Sequence, residues 1–139
     1  MNFFFDRCMP IRLAHMATAL EQGMNTVRHH DDDPRFNENT KDPDWLRELG
    51  KDNLGWIIVS GDSKILKKPI ERQALAVANL TFFVMEGKSW LNTKLPDYVW
   101  RFFKVWPDIK EEAKITIPSI FEVGGGKALN ITNLGRSRA

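Results

Sequence analysis

The sequence has very little cysteine and no long apolar segment. Its single cysteine, Cys8, excludes an intramolecular disulfide and a zinc site built from several cysteines. No apolar run approaches the roughly 20 residues that a membrane-spanning helix needs. Asp6 also interrupts the opening aromatic residues before a signal-peptide core develops. We therefore expect a cytoplasmic protein that does not enter a membrane.

The charge is small overall but uneven along the chain. The formal net charge of the 139 residues is +2, which is too low to predict nucleic-acid binding by itself. Residues 31–62 hold 9 acidic and 4 basic side chains, whereas residues 63–114 hold 10 basic and 6 acidic ones. An acidic segment followed by a basic one is expected where carboxylates hold cations and nearby lysines and arginines bind phosphates. The same pattern is also typical of solvated surface charge.

Alternating strand and helix patterns predict a three-layer α/β/α domain with a central, mainly parallel sheet. Prolines at helix starts and apolar residues at helical spacing predict helices over residues 10–22, 43–53 and 69–78. The third strand segment, residues 56–59, is apolar at every position, as expected of a strand covered on both faces. The four predicted strands are residues 3–5, 24–28, 56–59 and 80–85.

After the fourth strand the pattern is helical. An apolar stripe over residues 99–106 predicts a helix, and Pro107 predicts a break before a shorter helix that ends at residue 114. Pro118 argues against a central strand, so residues 116–123 are expected to form an edge strand or an extended arm. The predicted domain organisation is one domain over residues 1–123 and a flexible tail over residues 124–139.

Three aspartates are predicted to lie at one edge of the sheet. Asp6 follows the first strand, Asp62 follows the third, and Asp42 is expected to cap the helix that precedes the third strand. Ligands of parallel sheets bind at the carboxyl ends of strands. Carboxylate oxygens suit Mg²⁺ or Mn²⁺, which can activate water and stabilise charge on a phosphodiester. Taken singly, each aspartate is explained equally well as a helix or turn cap.

Four segments resemble, in their order and spacing, the PIN-like domains related to VapC-type toxins. They are residues 3–10 (Phe-Phe-Phe-Asp-Arg-Cys-Met-Pro), 40–46 (Thr-Lys-Asp-Pro-Asp-Trp-Leu), 56–62 (Trp-Ile-Ile-Val-Ser-Gly-Asp) and 68–75 (Lys-Pro-Ile-Glu-Arg-Gln-Ala-Leu). The resemblance covers residues 2–85 and extends more loosely into the later helical part. It implies an α/β/α domain with an acidic metal site and Mg²⁺- or Mn²⁺-dependent endoribonuclease activity. Many VapC-type members are toxins held by a cognate antitoxin.

Carried over residue by residue, the resemblance implies that Asp6, Asp42 and Asp62 are the catalytic residues and the metal ligands. The middle acid has two alternates, Asp44 and Glu48, because a typical PIN domain carries a glutamate on this helix. Many PIN domains have a fourth acid near the third, whereas here Ser-Lys-Ile follows the third aspartate. The resemblance therefore implies a site with three acids.

Several other residues have both a functional and a structural interpretation. Lys64 and Arg72 are candidates for binding RNA phosphates, or else belong to a solvated helix face. Residues 29–33 (His-His-Asp-Asp-Asp) look like a ligand cluster, but adjacent loop residues seldom coordinate one ion, so we expect a solvated loop. Among the tryptophans, Trp90 and Trp100 are the two candidates for an exposed surface that could stack on bases.

The leading hypothesis is a metal-dependent endoribonuclease with Mg²⁺ or Mn²⁺ as cofactor and RNA as substrate. In this hypothesis the protein is the toxin of a toxin–antitoxin pair, with a cognate antitoxin as partner and a homodimer as one candidate assembly. The alternative is a catalytically inactive PIN-like scaffold that binds RNA or a protein partner. A phosphoacceptor signalling domain also gathers aspartates at strand ends, but no motif here places the paired acids and the lysine that it requires.

Overall fold

One sheet organises the molecule. The computed structural model describes residues 1–125 and 130–136. Within them six strands form the sheet in the order β2-β1-β3-β4-β5-β6, with the first five strands parallel and the last one antiparallel to its neighbour. The strands are β1 (Asn2–Phe5), β2 (Thr26–His29), β3 (Ile57–Ser60), β4 (Thr81–Glu86), β5 (Ser119–Gly124) and β6 (Ile131–Arg136).

Helices cover both faces of the sheet. Successive side chains of a strand point to opposite faces, so Phe3 and Phe5 join one apolar core while Phe4 joins the other. The helices are α1 (Ile11–Glu21), α2 (Asp42–Lys51), α3 (Pro69–Ala78), α4 (Lys88–Leu91) and α5 (Leu95–Glu112). Side chains of α1 and α5 fill the first core, and side chains of α2 and α3 fill the second. The predicted three-layer α/β/α fold is confirmed.

The predicted break at Pro107 is wrong. Helix α5 continues through Pro107 to Glu112. The proline lies on the exposed side, and Ile109 beyond it is fully buried in the core formed with α1. Continued burial of the apolar stripe therefore outweighs the loss of one backbone hydrogen bond.

The C-terminal part adds two strands where we expected one edge strand or an arm. β5 pairs with β4 on one side and with β6 on the other, so it is an internal strand. Pro118 directly precedes β5 and takes no place in its hydrogen-bond ladder. Residues 131–136 form β6, so this part of the expected flexible tail is a strand, while residues 126–129 and 137–139 lie outside the described residues.

The ends of β1 and β3 lie side by side and bring two loops together. Phe5 is paired with Val59, and the backbone N–H of Asp6 donates to the carbonyl of Val59 over 3.0 Å. A Cβ at Gly61 would lie 2.8 Å from the carbonyl oxygen of Cys8, so only glycine allows the two loops to approach this closely. In the described part of the chain no helix is long and apolar enough to cross a membrane.

Candidate active site at the carboxyl ends of β1 and β3

Asp6 is a buried carboxylate held by three donors. It directly follows β1 and is 5% exposed. One carboxylate oxygen, Oδ2, accepts a hydrogen bond from the Ser60 hydroxyl, and the other accepts from the backbone N–H groups of Cys8 at 3.1 Å and Gly61 at 3.2 Å. Burial raises the pKa of Asp6 to about 7, although the hydrogen bonds from Ser60 and Gly61 oppose the shift. The carboxyl group therefore changes its charge near neutral pH.

Ser60 connects Asp6 to the loop that carries Asp62. Ser60 ends β3 and its side chain is fully buried. Its hydroxyl donates to Asp6 and accepts a hydrogen bond of 3.0 Å from the backbone N–H of Asp62. This arrangement fixes the distance between the two loops through a single buried oxygen atom.

Asp62 begins the short 3₁₀ turn that follows β3. Its Oδ1 accepts a hydrogen bond of 2.9 Å from the backbone N–H of Lys64 and so caps the turn Ser63–Leu66. Its side chain is half-buried. Capping the turn uses one carboxylate oxygen of Asp62, so its other oxygen is left for a second role next to Asp6.

Asp42 lies at the start of α2 but is not its cap. Lys41 occupies the N-cap position, and no side chain caps the helix, so the predicted capping role of Asp42 is wrong. Its Oδ1 instead accepts a hydrogen bond of 2.9 Å from the indole N–H of Trp45. Burial raises the pKa of Asp42, and the charges of Glu71 and Asp62 raise it further.

The alternates for the middle acid face outward. The Asp44 side chain is 57% exposed and pairs with Arg47, and the Glu48 side chain pairs with Lys51. Asp42, by contrast, is half-buried, and its charge is among those that raise the pKa of Asp6. The choice of Asp42 as the middle acid stays a prediction.

The three aspartates interact electrostatically but do not form a complete metal centre. The negative charges of Asp42 and Asp62 both raise the pKa of Asp6. Their hard oxygen donors and mutual repulsion suit a divalent cation. However, within residues 1–125 and 130–136 no three His, Cys, Asp or Glu side chains come close enough together to hold one metal ion. The donor chemistry fits the predicted ion, and the three-ligand geometry is not formed.

Glu71 is an acid of this region that the sequence analysis did not select. It lies in the first turn of α3, its side chain is 16% exposed, and its charge raises the pKa of Asp42. Asp42 and Glu71 line the same cavity of about 520 Å³ between the starts of α2 and α3. Its position in the first turn of a helix was readable from the sequence, but its approach to Asp42 depends on how the two helices pack.

Comparison with known families agrees with this geometry. A family model described as PIN like domain matches residues 1–87. The chain belongs to the PIN-like domain family. The match covers β1 to β4 and contains Asp6, Asp42, Asp62 and Glu71. Comparisons with curated proteins and with solved structures gave no match, so the relationship to VapC-type toxins stays a prediction.

PIN domains are generally nucleases, and this PIN-like domain carries basic side chains close to the acids. Lys64 is exposed in the 3₁₀ turn after Asp62. Arg72 lies on α3 and donates to the carbonyl of Leu66 over 3.3 Å, so part of its hydrogen-bonding capacity holds that turn. Lys68 is 3.6 Å from Glu71. Lys64 therefore offers its charge to solvent more freely than Arg72 does.

Three of the five residues in the histidine and aspartate segment 29–33 are buried. His29 and His30 are each 1% exposed and Asp33 is 2% exposed. The Nε2 of His29 donates to the carbonyl of Met9 over 2.8 Å, and Asp33 is paired with Arg35 at 2.9 Å. The expectation of a solvated segment is therefore wrong for these three residues, whose side chains have polar partners within the protein. Asp31 and Asp32 are exposed, as expected.

The two tryptophan candidates for an exposed surface differ. Trp90 is 2% exposed, and its indole N–H donates to the carbonyl of Val123 over 3.1 Å. Trp100 is 64% exposed on α5, with the ammonium group of Lys104 4.9 Å from its ring centre. Trp90 is thus a core residue, and Trp100 is the one of the two that presents its ring to solvent.

The surroundings of Cys8 disfavour its thiolate form. Partial burial raises the pKa of its thiol to about 12, and the negative charges of Asp6, Asp62 and Asp42 act in the same direction. Because the thiolate is the reactive form, this shift disfavours Cys8 as a nucleophile.

Proposed function

We propose that this PIN-like domain is a metal-dependent endoribonuclease in which Asp6, Asp42 and Asp62 hold Mg²⁺ or Mn²⁺. The observation that carries the proposal is the Asp6 carboxylate, which is buried directly after β1 within the residues that match the PIN-like family. Burial raises its pKa to about 7, and the charges of Asp42 and Asp62 act in the same direction. Buried carboxylates that repel one another are costly unless they take up protons or bind a cation. Perturbed acids gathered at one site are also typical of active sites.

The residues of the chain have separate roles in this proposal. Ser60 and Gly61 hold the Asp6 carboxylate in one orientation, and Trp45 does the same for Asp42. A bound divalent cation supplies the activation of water and the neutralisation of charge on the phosphodiester. Glu71, next to Asp42, is the additional acid that could complete the oxygen donors on the α3 side.

The basic residues after Asp62 are proposed to bind the RNA backbone. Lys64 is exposed within two residues of Asp62, and Arg72 lies on the helix that follows. Contacts between lysine or arginine and phosphate release counterions, so affinity for RNA should fall as salt rises. We include both residues as RNA contacts, with Lys64 the stronger contributor because Arg72 already holds the carbonyl of Leu66.

The biological setting proposed here is that of a toxin with a cognate antitoxin, acting in the cytoplasm. Its support is the resemblance of residues 2–85 to PIN-like domains related to VapC-type toxins. A homodimer is included in the proposal on the same basis. Co-expression with the protein encoded beside it, followed by size-exclusion chromatography, tests both assemblies. A monomer that gains no partner contradicts this setting without affecting the nuclease proposal.

The nuclease proposal is tested by incubating the pure protein with a mixed RNA pool in Mg²⁺, in Mn²⁺ and in EDTA. Cleavage in either metal, none in EDTA, and none with Asp62→Asn are expected. Asp44→Asn is the matched control, because it removes an aspartate charge from the same region at an exposed position paired with Arg47. Equal cleavage by wild type and Asp62→Asn, or cleavage in EDTA, would contradict the assignment.

A second candidate function is an inactive PIN-like scaffold that binds RNA or a protein. The observation in its favour is that the described residues do not assemble three metal-binding side chains. Thermal unfolding with and without Mg²⁺ or Mn²⁺ separates the two, because an ion that binds the folded state raises the melting temperature. An increase that is lost in Asp6→Asn favours the nuclease. No increase with either metal and an intact RNA pool favour the scaffold.

A further inference from the structure

A small cavity lies next to Asp6, on the side away from α2 and α3. Its volume is about 180 Å³. One wall consists of Cys8 and Gly61, from the two loops that also hold the Asp6 carboxylate. The rest of the lining consists of Pro10, Trp90 and Leu91 on α4, Thr93, and Tyr98 on α5. Any group in this cavity is therefore a neighbour of the candidate active site.

Tyr98, which lines this cavity, has a hydroxyl group whose hydrogen-bond partner is weak. The residue is 7% exposed. Among the described residues the hydrogen-bond partner of its hydroxyl is the sulfur of Met9, at 3.4 Å. A thioether is a weak acceptor, and buried polar groups in folded proteins nearly always have a good partner. Burial also keeps the pKa of Tyr98 above its ordinary range, so the hydroxyl stays protonated and available as a donor.

The indole and hydroxyl groups of the other lining side chains are already used, and the Cys8 thiol is a weak donor. The Trp90 indole N–H donates to the carbonyl of Val123, and the Thr93 hydroxyl donates to the carbonyl of Ser89. The Tyr98 hydroxyl is thus the donor that a ligand could engage. The Trp90 and Tyr98 rings pack edge to face at 4.9 Å, which fixes the position of the phenol ring.

The size and charge of the cavity decide what fits. A volume of about 180 Å³ is enough for one ring-sized group and is well below the roughly 300 Å³ at which sites for larger ligands begin. No lysine or arginine lines the cavity. The guanidinium of Arg101, behind Thr93, already donates to the Thr93 hydroxyl and to the carbonyls of Ser89 and Gly125, and the adjacent Asp6 repels a phosphate when charged. Leu91, 73% exposed, supplies apolar surface against a flat ring. These features favour an uncharged aromatic ring.

We propose that this cavity receives one pyrimidine base of the bound RNA and that the Tyr98 hydroxyl donates a hydrogen bond to that base. The inference rests on the proposed function, because it assigns the base beside the phosphodiester that the aspartates act on. Single-stranded RNA is recognised through splayed bases that meet aromatic side chains and hydrogen-bonding groups. Tyr98 is then a specificity-determining residue of the proposed nuclease.

The direct test uses the fact that Tyr98 is the only tyrosine of the chain. Protein labelled with 3-fluorotyrosine gives one ¹⁹F resonance, which is followed during titration with UMP, CMP, AMP, GMP and ribose 5-phosphate in EDTA. We expect UMP or CMP to shift the resonance at lower concentrations than AMP and GMP, and ribose 5-phosphate to leave it unchanged. Equal shifts with purine nucleotides or with ribose 5-phosphate, or no shift at all, would overturn the proposal.

Variants extend the test to RNA. Tyr98→Phe removes only the hydroxyl and should weaken binding of a pyrimidine oligonucleotide roughly three- to tenfold, the worth of one hydrogen bond, while binding of an oligoadenylate is unchanged. Leu91→Trp should block the entrance of the cavity and, like Tyr98→Phe, weaken binding of the pyrimidine oligonucleotide but not of the oligoadenylate. Leu20→Trp is the matched control, because Leu20 is 63% exposed near the far end of α1. Equal losses for both oligonucleotides would contradict a base-specific role.

The outcomes separate this inference from the proposed function. If the wild-type protein cleaves RNA and Tyr98→Phe retains the same base preference in KM, the nuclease stands and the base site is wrong. If the ¹⁹F resonance responds to pyrimidine nucleotides but RNA is never cleaved with Mg²⁺ or Mn²⁺, the base site stands and the catalytic proposal is wrong. Melting temperatures of the variants show whether each remains folded.

Discussion

Replacing Asp6 with asparagine should raise the free energy of unfolding of the metal-free protein, relative to wild type, by more at pH 8 than at pH 5. The substitution removes the buried charge and keeps an oxygen that can accept from the N–H groups of Cys8 and Gly61. The new amide can donate to the Ser60 hydroxyl, which can turn its own proton toward the carbonyl of Asp62, 3.5 Å away. The surrounding hydrogen bonds therefore have a way to adjust.

The sign and size of the effect follow from the raised pKa of Asp6. Burial raises this pKa from 3.8 to about 7. Between these pH values the folded state binds more protons than the unfolded state, so wild type loses stability as pH rises through this window. A shift of about 3 pKa units corresponds to a loss of about 4 kcal/mol at pH 8, since one unit is worth about 1.36 kcal/mol. The asparagine variant does not have this loss.

The assay is urea unfolding of both proteins in EDTA at intervals from pH 4.5 to pH 8. The quantity of interest is the free energy of unfolding of the variant minus that of wild type, because any constant cost of the amide cancels when pH values are compared. This difference should rise by several kcal/mol across the range. Asp108→Asn, at an exposed position on α5, is the control and should show no such rise. Parallel stability curves for wild type and Asp6→Asn would refute the reasoning.

Three further substitutions test the packing around the site and the core. Ser60→Ala removes a fully buried hydroxyl that is hydrogen-bonded to both active-site loops. It should destabilise the protein by about 1–3 kcal/mol in urea unfolding, because buried groups then lose their hydrogen bonds. An unchanged urea midpoint would contradict this role of Ser60. Gly61→Ala places a Cβ 2.8 Å from the carbonyl oxygen of Cys8. This overpacking should lower the free energy of unfolding by about 1–3 kcal/mol. A variant as stable as wild type would mean that the two loops separate easily. Glu21→Gln weakens the buried pair with Lys110, at 2.6 Å. Burial opposes ionisation of Glu21, but hydrogen bonds from Lys110 and its other neighbours lower its pKa, so the loss should be largest at neutral pH and shrink as pH falls. A loss of stability that grows as the pH falls would contradict this assignment of a charged Glu21.

Local sequence was sufficient for the elements with strong periodicity. Helix α3 begins and ends where it was predicted, at Pro69 and Ala78, because the proline at its start and the apolar spacing agree. The strand after Asn79 was likewise readable from its apolar run. Prediction failed at Pro107, where a local rule for helix breaking competed with the burial of Ile109.

The candidate site was predictable in part. Asp6 and Asp62 follow predicted parallel strands, so their placement at one edge of the sheet follows from topology. The environment of Asp42 did not follow, because the sequence favours a capping aspartate while Lys41 takes that position and Trp45 binds the carboxylate. Glu71 and Tyr98 were missed, since each reaches the site from a separate helix.

The sequence by itself determined the order of the elements from β1 to β4, the layered fold and the two aspartates at the strand ends. These depend on periodicity and on the chirality of parallel connections, which act over short stretches of chain. Only the tertiary structure decided the charge state of Asp6, the partners of His29 and Asp33, and the cavity beneath Tyr98. Each depends on what distant segments exclude from water, and desolvation is a property of the packed molecule rather than of neighbouring residues.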